Sequence, residues 1–262
     1  MASDIQRGYD AIVTMARNGR PITDPRRNVL LGALPKAEFE RLAGDLERVS
    51  LPRSSDLEVP NREIQHVYFP TSGIASIVAL GENGETVDTT MVGREGMTGL
   101  AVFLGTGQMP IRTMVQLQLH GFRLTSDLLR TELERRGTLV ALLHRYTQVV
   151  MVSMAQLILC NRVHRLDQRA ARWLLQVDER VEEAPFEVTQ EFLAEMIGTQ
   201  RPSVSLAVRQ FKDEGLISYS RGQISVLDRE GLLRRSCSCI TIMHEEEQRL
   251  RTTVERHATA RA

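Results

Sequence analysis

The stretch Val188–Val226, VTQEFLAEMIGTQRPSVSLAVRQFKDEGLISYSRGQISV, decides how the rest of the chain is read. Thr189 is placed to cap a short helix over Gln190–Ile197, with Leu193, Ala194, Met196 and Ile197 turned inward. Ala194 is small where a second helix must cross closely, and Gly198 supplies a left-handed turn without Cβ strain. A second helix then opens with Thr199 as its cap and Pro202 in its first turn, where the missing N–H costs nothing. Its inward face is Val204, Ala207, Val208 and Phe211, and Gly215 stops it. Two strands, Leu216–Tyr219 and Gln223–Val226, flank a tight tip at Arg221-Gly222. Helix, glycine turn, helix and β-hairpin in that order make a winged helix-turn-helix.

A second helix held this way projects its outer face, and the groups on that face suit the edges of DNA bases. Arginine bonds two acceptors on guanine and glutamine pairs with adenine. The helix N-terminus with Ser203 favours a phosphate, and Arg221 at the wing tip adds a backbone contact. The candidate DNA contacts are therefore Thr199, Gln200, Arg201, Ser203, Ser205, Arg209 and Arg221. No acidic residue stands between Arg201 and Lys212. The competing reading is an ordinary helical hairpin in a core, and the spacing of Ala194, Gly198, Val204 and Ala207 together with the wing argues against it.

Upstream, a helical pattern runs from about Ser126 to Asn161, with Thr125 or Ser126 as cap and Asp127 at the positive end of the dipole. Leu139, Leu143, Tyr146, Val150, Ser153, Leu157 and Cys160 advance by steps of four and three, beside a second stripe of Leu142, Val149, Val152 and Leu159. Two apolar stripes need two partners. One is the chain's own β-domain, and the other is the same helix of a second chain, with Leu139, Leu143, Tyr146, Val150 and Leu157 as candidate dimer interface; the competing reading is a helix fully buried within one large monomer, which its length argues against. Such a helix spans about 50 Å at 1.5 Å per residue, and a further helix is expected over Leu166–Val181.

Before it, Val49–Leu124 breaks into short β-rich runs: His66–Phe69, Gly73–Leu80, Thr86–Val92 and Ile111–Leu119, with Asn83-Gly84 as a hairpin signal. Short strands with glycine corners suggest a compact antiparallel barrel or jelly roll. The segment Asn28–Leu46 reads as two short helices split by Pro35. The fold class is α+β: a loose extension (1–24), an antiparallel β-roll sensor (25–124), a long dimerisation helix (125–162), the winged module (163–235) and a helical tail (236–262).

The composition bounds the partners. Thirty-three Lys+Arg balance thirty-three Asp+Glu among 262 residues, which excludes a chain-wide basic coat for nucleic acid or membrane. The asymmetry is local: Glu187, Glu191 and Glu195 lie on or beside the first helix, and Arg201, Arg209 and Lys212 lie on the second. Three cysteines are too few for a disulfide framework, and no signal-peptide or membrane-length apolar run occurs, so a reducing cytoplasm is expected. Nucleophile-elbow, P-loop and dinucleotide-binding motifs are absent, so no enzymatic activity is expected.

Four segments carry a family resemblance: HVYFPTSG (His66–Gly73), VGREGMTGLAVFLG (Val92–Gly105), RLDQRAARWLL (Arg165–Leu175) and QEFLAEMIGTQRPSVS (Gln190–Ser205). Over about residues 28–240 the chain resembles the Crp/Fnr family of bacterial transcription regulators. The resemblance implies a cyclic-nucleotide-binding-like β-roll, a homodimer on a two-fold symmetric DNA operator, a small-molecule effector of unknown identity and RNA polymerase as a partner. It places Gln200, Arg201 and Ser205 toward the bases. Pro202 stands where some relatives carry an acidic residue, so a different DNA sequence is expected.

In cyclic-nucleotide-binding relatives a Gly-Glu pair meets the ribose and an Arg-Ser/Thr pair the phosphate. The corresponding candidates are Glu95, Gly96, Arg112 and Thr113, with Glu95 displaced and Arg94 intruding. The preferred reading is that the glycines only make turns and that no cyclic nucleotide binds. No cysteine precedes Cys160, so no iron–sulfur cluster is expected. Cys237 and Cys239 with His244 could form a metal or oxidant site, but incidental placement is the preferred reading, so no metal is expected. His66, His120, His144 and His164 show no metal-binding motif spacing. The alternative functions are a ligand sensor whose C-terminal domain contacts protein rather than DNA, and a stand-alone oxidoreductive sensor enzyme.

Overall fold

The computed structural model describes residues 22–83, 86–181 and 184–259, with side chains described through 252. Most of the expected N-terminal extension (1–21) and Gly84 of the expected turn lie outside the described residues. After a 3₁₀ turn at Pro25–Arg27 come α1 (Val29–Gly32) and α2 (Lys36–Ala43), separated at Pro35 as the sequence predicts. The first sheet holds β1 (Glu47–Leu51), β2 (Asp56–Glu58), β3 (His66–Leu80), β4 (Thr86–Val92) and β5 (Arg112–Thr125), with a short helix α3 (Leu100–Phe103) between the last two. All its pairings are antiparallel, in the order β1-β5-β3-β4, with β2 also on β5.

The two runs His66–Phe69 and Gly73–Leu80 form one bent strand. Its pairing with β5 shifts register around Pro70–Ile74, where proline has no ladder donor. Gly73 sits there at φ 85°, and a Cβ on it would lie 2.0 Å from the Gln118 carbonyl oxygen. The segment that looks like a strand break, Pro70–Ser72, therefore makes an irregularity inside a strand. The polar segments of β1 and β2 offer no alternation to read.

The long helix begins later than expected. Ser126–Glu134 (α4) ends before Arg136, which has φ 51°, and α5 runs over Thr138–Val163. The cause is Glu38, 100 residues upstream. Its carboxylate accepts from the Thr138 N–H (3.1 Å) and hydroxyl (2.8 Å) and from the Leu139 N–H (3.3 Å), capping a fresh helix N-terminus. The 26 residues of α5 span about 39 Å rather than 50 Å.

The expected dimer interface is also corrected. Leu139, Leu143, Tyr146 and Val150 are buried in the chain's own core with Phe69 and Met97, so a partner cannot reach them. Leu157 is half-buried. The uncovered apolar strip is Met151 (66% exposed), Ala155, Ile158 (74%), Leu159 and Val163, with Arg162 beside it.

Helix α6 (Leu166–Arg180) then turns back against the sheet, so that Ile74 and Leu117 share one core with its Ala170, Trp173 and Leu174. Its polar side faces a buried group of Ser76, Asp88 and Gln116. Burial pushes the Asp88 carboxyl up to about 6, against the pull of Arg172. An unfolded aspartate ionises near 3.9, so the folded chain keeps a proton that the unfolded chain has lost between those two pH values. Stability from this group therefore falls as pH rises from about 4 to about 6, by on the order of 3 kcal/mol. Asp88→Asn stays neutral, and its melting-temperature advantage over the parent is expected to be larger at pH 7.5 than at pH 4.5. An equal difference at both pH values would contradict the assignment.

Candidate nucleic-acid interface

The C-terminal module consists of α6, a short strand β6 (Phe186–Glu187), α7 (Gln190–Met196), α8 (Arg201–Asp213), the strands β7 (Ile217–Ser220) and β8 (Gln223–Val226), and α9 (Arg229–Arg235). Thr189 caps α7 as expected, its hydroxyl oxygen accepting from the Phe192 N–H at 3.2 Å. Phe192 meets Trp173 of α6 edge-on at 6.4 Å between ring centroids. Gly198 has φ 62°, and Arg169 of α6 donates to the Ile197 carbonyl, fixing the turn from below. Val204, Ala207, Val208 and Phe211 form the buried stripe of α8. The winged hairpin pairs Ser220 with Gln223 across its tip, where Arg221 lies exposed at φ 51°.

The candidate DNA contacts divide. Gln200, Arg201 and Arg209 are exposed on the outer side, and Ser203 is half-buried near the helix start. Arg209 has a loose exposed neighbour in Asp213 at 3.8 Å. Thr199 does not cap α8; Gln200 occupies the cap position without a side-chain cap bond, and the Thr199 N–H closes the preceding turn onto the Ala194 carbonyl at 2.9 Å. Ser205 is engaged: its Oγ lies 2.5 Å from Gln190 Oε1 and 3.0 Å from the Arg201 carbonyl oxygen, bracing α8 against α7. Leu206 is 66% exposed in the middle of α8, and Gln210 is exposed one turn on. Sequence reasoning omitted both, although the 3.6-residue period places them opposite the buried stripe. An exposed leucine there suits a thymine methyl.

The sensor candidates are not brought together around a ligand. The Glu95 carboxylate accepts from the Gly93 N–H at 2.8 Å and from Arg180 Nε at 3.0 Å. Burial alone would raise its pKa, but Arg180 and the backbone N–H groups hold it low. Arg180 donates also to Glu247 Oε1 at 2.7 Å on the C-terminal helix α10 (Cys239–Thr259). Burial would lower the Arg180 pKa, yet Glu95, Glu247 and Glu179 outweigh it. A Cβ on Gly96 would fall 2.1 Å from the Tyr146 ring, so that wall is closed. Arg112 pairs instead with Asp56 at 2.5 Å, and Thr113 is buried in the sheet. Along β3 the partner of Arg112 is Val78, three residues, roughly 10 Å, from Ala75, which pairs with the strand end before Glu95. His244 does not join Cys237 and Cys239 but lies 3.0 Å from Glu179 Oε2.

Where the sheet domain meets the wing module, the Arg53 guanidinium sits 3.6 Å from the Phe192 ring centroid. Beside it opens a cleft of about 490 Å³, lined by Arg53, Gly73 and His120 on one side and by Val181 and Phe186 on the other.

A compact helix-turn-helix with an exposed basic helix and a wing defines a DNA-binding type of module. Residues 168–235 match the Crp-like helix-turn-helix domain. Over 86 residues the chain is 36% identical to the HTH-type transcriptional regulator Cmr of Mycobacterium tuberculosis, an alignment covering 32% of this chain and 34% of that protein. The chain thus spans about a third of the length of this curated relative. Among solved structures, FixK2 from Bradyrhizobium japonicum superposes with a TM-score of 0.63 at 15% identity, covering 73% of this chain and 98% of that one. The c-di-GMP responsive global regulator CLP of Xanthomonas campestris gives 0.56 at 14% identity over 73% and 99%. A CRP-family transcriptional regulator from Thermus thermophilus, TTHB099, gives 0.55 at 20% over 72% and 96%. The C-terminal module is a Crp-like helix-turn-helix domain, and the chain has the fold of Crp/Fnr-type regulators.

With Glu95 committed to Arg180 and Arg112 to Asp56, calorimetric titration with cyclic AMP or cyclic GMP is expected to give no heat at millimolar nucleotide. Saturable heat at micromolar nucleotide would mean that the Glu95–Arg180 pair opens to ligand.

Proposed function

We propose that the protein is a sequence-specific DNA-binding transcription regulator of the Crp/Fnr type that acts as a homodimer on a two-fold symmetric operator. The observation that carries this reading is the outer face of Arg201–Asp213. Gln200, Arg201, Leu206, Arg209 and Gln210 stand exposed there on a helix whose opposite side is locked into the module core. A groove-reading helix needs this combination of rigid mounting and free bidentate donors. Arg221 on the wing suits the phosphate backbone. Few phosphates are met per chain, which favours a shallow salt dependence. RNA polymerase and an effector of unknown chemistry are the further partners of this reading, and the cytoplasm its compartment. Among the described residues no helix is long and apolar enough to cross a membrane.

In this mechanism the sheet domain and the wing modules are coupled through Arg180, and a signal shifts the balance between two orientations of the modules. Two recognition helices about 34 Å apart reach successive major grooves. The seam between chains is assigned to the exposed strip Met151–Val163, in place of the buried stripe.

Operator DNA recovered from cells by crosslinking supplies the probe for a mobility-shift assay. Arg201→Ala and Arg209→Ala are each expected to weaken binding about 10- to 100-fold, as for the loss of a bidentate base contact. Unchanged binding by both would move the readout face elsewhere, and no DNA recovered at all would favour a C-terminal domain that contacts protein.

Ile158→Glu places a charge on the exposed strip without touching the core, and is expected to sediment as a folded monomer. An intact Ile158→Glu dimer would remove the strip from the interface.

A further inference from the structure

The fold gathers four side chains that the regulatory reading leaves unused. Cys160 and His164, four apart, share one side of the last turn and cap of α5. Cys237 and Cys239 lie at the entry to α10, about 75 residues further along the chain. Their ligand atoms all lie within 4.8 Å of one another, with Cys160 Sγ 3.4 Å from Cys237 Sγ and Cys239 Sγ 3.5 Å from His164 Nδ1. We propose that Cys160, His164, Cys237 and Cys239 bind one zinc ion in a closed tetrahedral Cys₃His site.

The dimensions suit a single ion. Zinc bonds of about 2.3 Å to sulfur and 2.0–2.1 Å to nitrogen, set tetrahedrally, put ligand atoms roughly 3.5–3.8 Å apart. A polynuclear iron–sulfur cluster needs its ligands spread around several iron atoms. Three buried cysteines can also be plain core residues. Here they form a cluster of their own, separate from the three larger apolar cores. Their neighbours are charged: Arg172 acts electrostatically on Cys160, and Arg169 on both Cys160 and Cys237. The Nε atoms of both arginines are buried without a hydrogen-bond partner. Three thiolates and a neutral imidazole on Zn²⁺ carry a net charge of −1, a sign that the neighbouring guanidiniums of Arg169 and Arg172 favour. Binding exchanges up to three thiol protons, released to solvent, for three sulfur–zinc bonds and one nitrogen–zinc bond, with no change of oxidation state.

The position gives the ion its role. His164 and Arg165 connect α5 to α6, the step from the long helix into the DNA-binding module. A zinc ion there fastens this joint to the start of α10 and holds the module's first helix at a set angle. Sequence reading pairs the cysteines with His244 because it is near in sequence. Helical phase sends His244 to Glu179 instead.

The full-length chain, purified under reducing conditions without chelator, is expected to hold one zinc per chain by elemental mass spectrometry. Mercurial titration of its thiols should release that zinc. Cobalt exchanged into the site should show the intense visible bands of a tetrahedral thiolate complex and a thiolate-to-cobalt band in the near ultraviolet. Cys160→Ser and His164→Ala are expected to drop zinc to background, while His120→Ala keeps it. If the variants do not fold, the zinc content, thiol release and cobalt spectrum of the parent still decide. Zinc well below stoichiometry in zinc-supplemented cells, an octahedral cobalt spectrum, full zinc in folded Cys160→Ser, or a Cys160–Cys237 disulfide in the freshly isolated chain would each overturn the assignment.

Discussion

Arg180 is the point on which the arrangement of the chain turns. Its guanidinium is buried and joins three parts: Glu95 in the glycine loop of the sheet domain, Glu247 on the C-terminal helix, and α6 itself through the Gln176 carbonyl. Arg94 reaches back from the same loop to the Glu179 carbonyl at 2.5 Å, and His244 holds the Glu179 carboxylate. Burying a charge costs several kcal/mol unless it is paired and hydrogen-bonded. This set meets that condition only when loop, α6 and α10 are all in place. An apolar contact tolerates sliding, but a buried guanidinium with three assigned directions does not. The sheet domain and the helix-turn-helix module are therefore held in one relation by ionic geometry.

The same contacts constrain sensing. The resemblance implies a ribose-binding carboxylate for which Glu95, displaced from the family pattern, is the candidate, and in this chain Glu95 already holds an internal cation. A ligand that took Glu95 would have to leave Arg180 buried beside fewer carboxylates, a costly exchange. Tyr146 closes the same region, with its hydroxyl on the Met97 carbonyl at 3.1 Å and its ring against Gly96. The cleft between Arg53, His120 and Phe186 is open by comparison, and it lies where the two domains touch.

What was legible in the sequence follows the range of the forces involved. The helix-turn-helix could be read because its signals are local: Thr189 as cap, Gly198 at a positive φ, Pro202 in the first turn, and the Val204–Phe211 stripe. The break at Gly137 could not, because the carboxylate that caps Thr138 comes from Glu38, in a different part of the fold. Two apolar stripes were visible on the long helix, but the first half of both, Leu139, Leu143, Tyr146 and Val150 of one and Leu142 and Val149 of the other, went into the internal core, and the strip left uncovered shares only Leu159 with them. Ser205 looked like a base-reading group by position, but its hydroxyl is taken by Gln190 across the helix pair. The cysteine–histidine cluster was hidden for the same reason as the Glu38 cap: its halves are far apart in sequence.

These long-range contacts converge on the last turns of α5. One side of that helix carries α10, tied by Gln148 to Glu246 at 2.6 Å. Its end carries Cys160 and His164, and its uncovered strip runs from Met151 to Val163, up to the residue before the joint. A second copy of the chain packed on that strip would press within a turn of the His164–Arg165 step. The angle at which α6 leaves the helix would then be set jointly by the partner helix, by α10 and by the Arg180 carboxylates. Helix α8 is linked to that angle through Arg169, which spans from α6 to the Ile197 carbonyl at the base of the turn. A small rotation at the joint would be passed through these contacts toward Arg201 and Arg209. Under the proposed DNA-binding role, chain-wide neutrality is no obstacle: a few correctly aimed cations would suffice, and the buried ionic contacts would aim them.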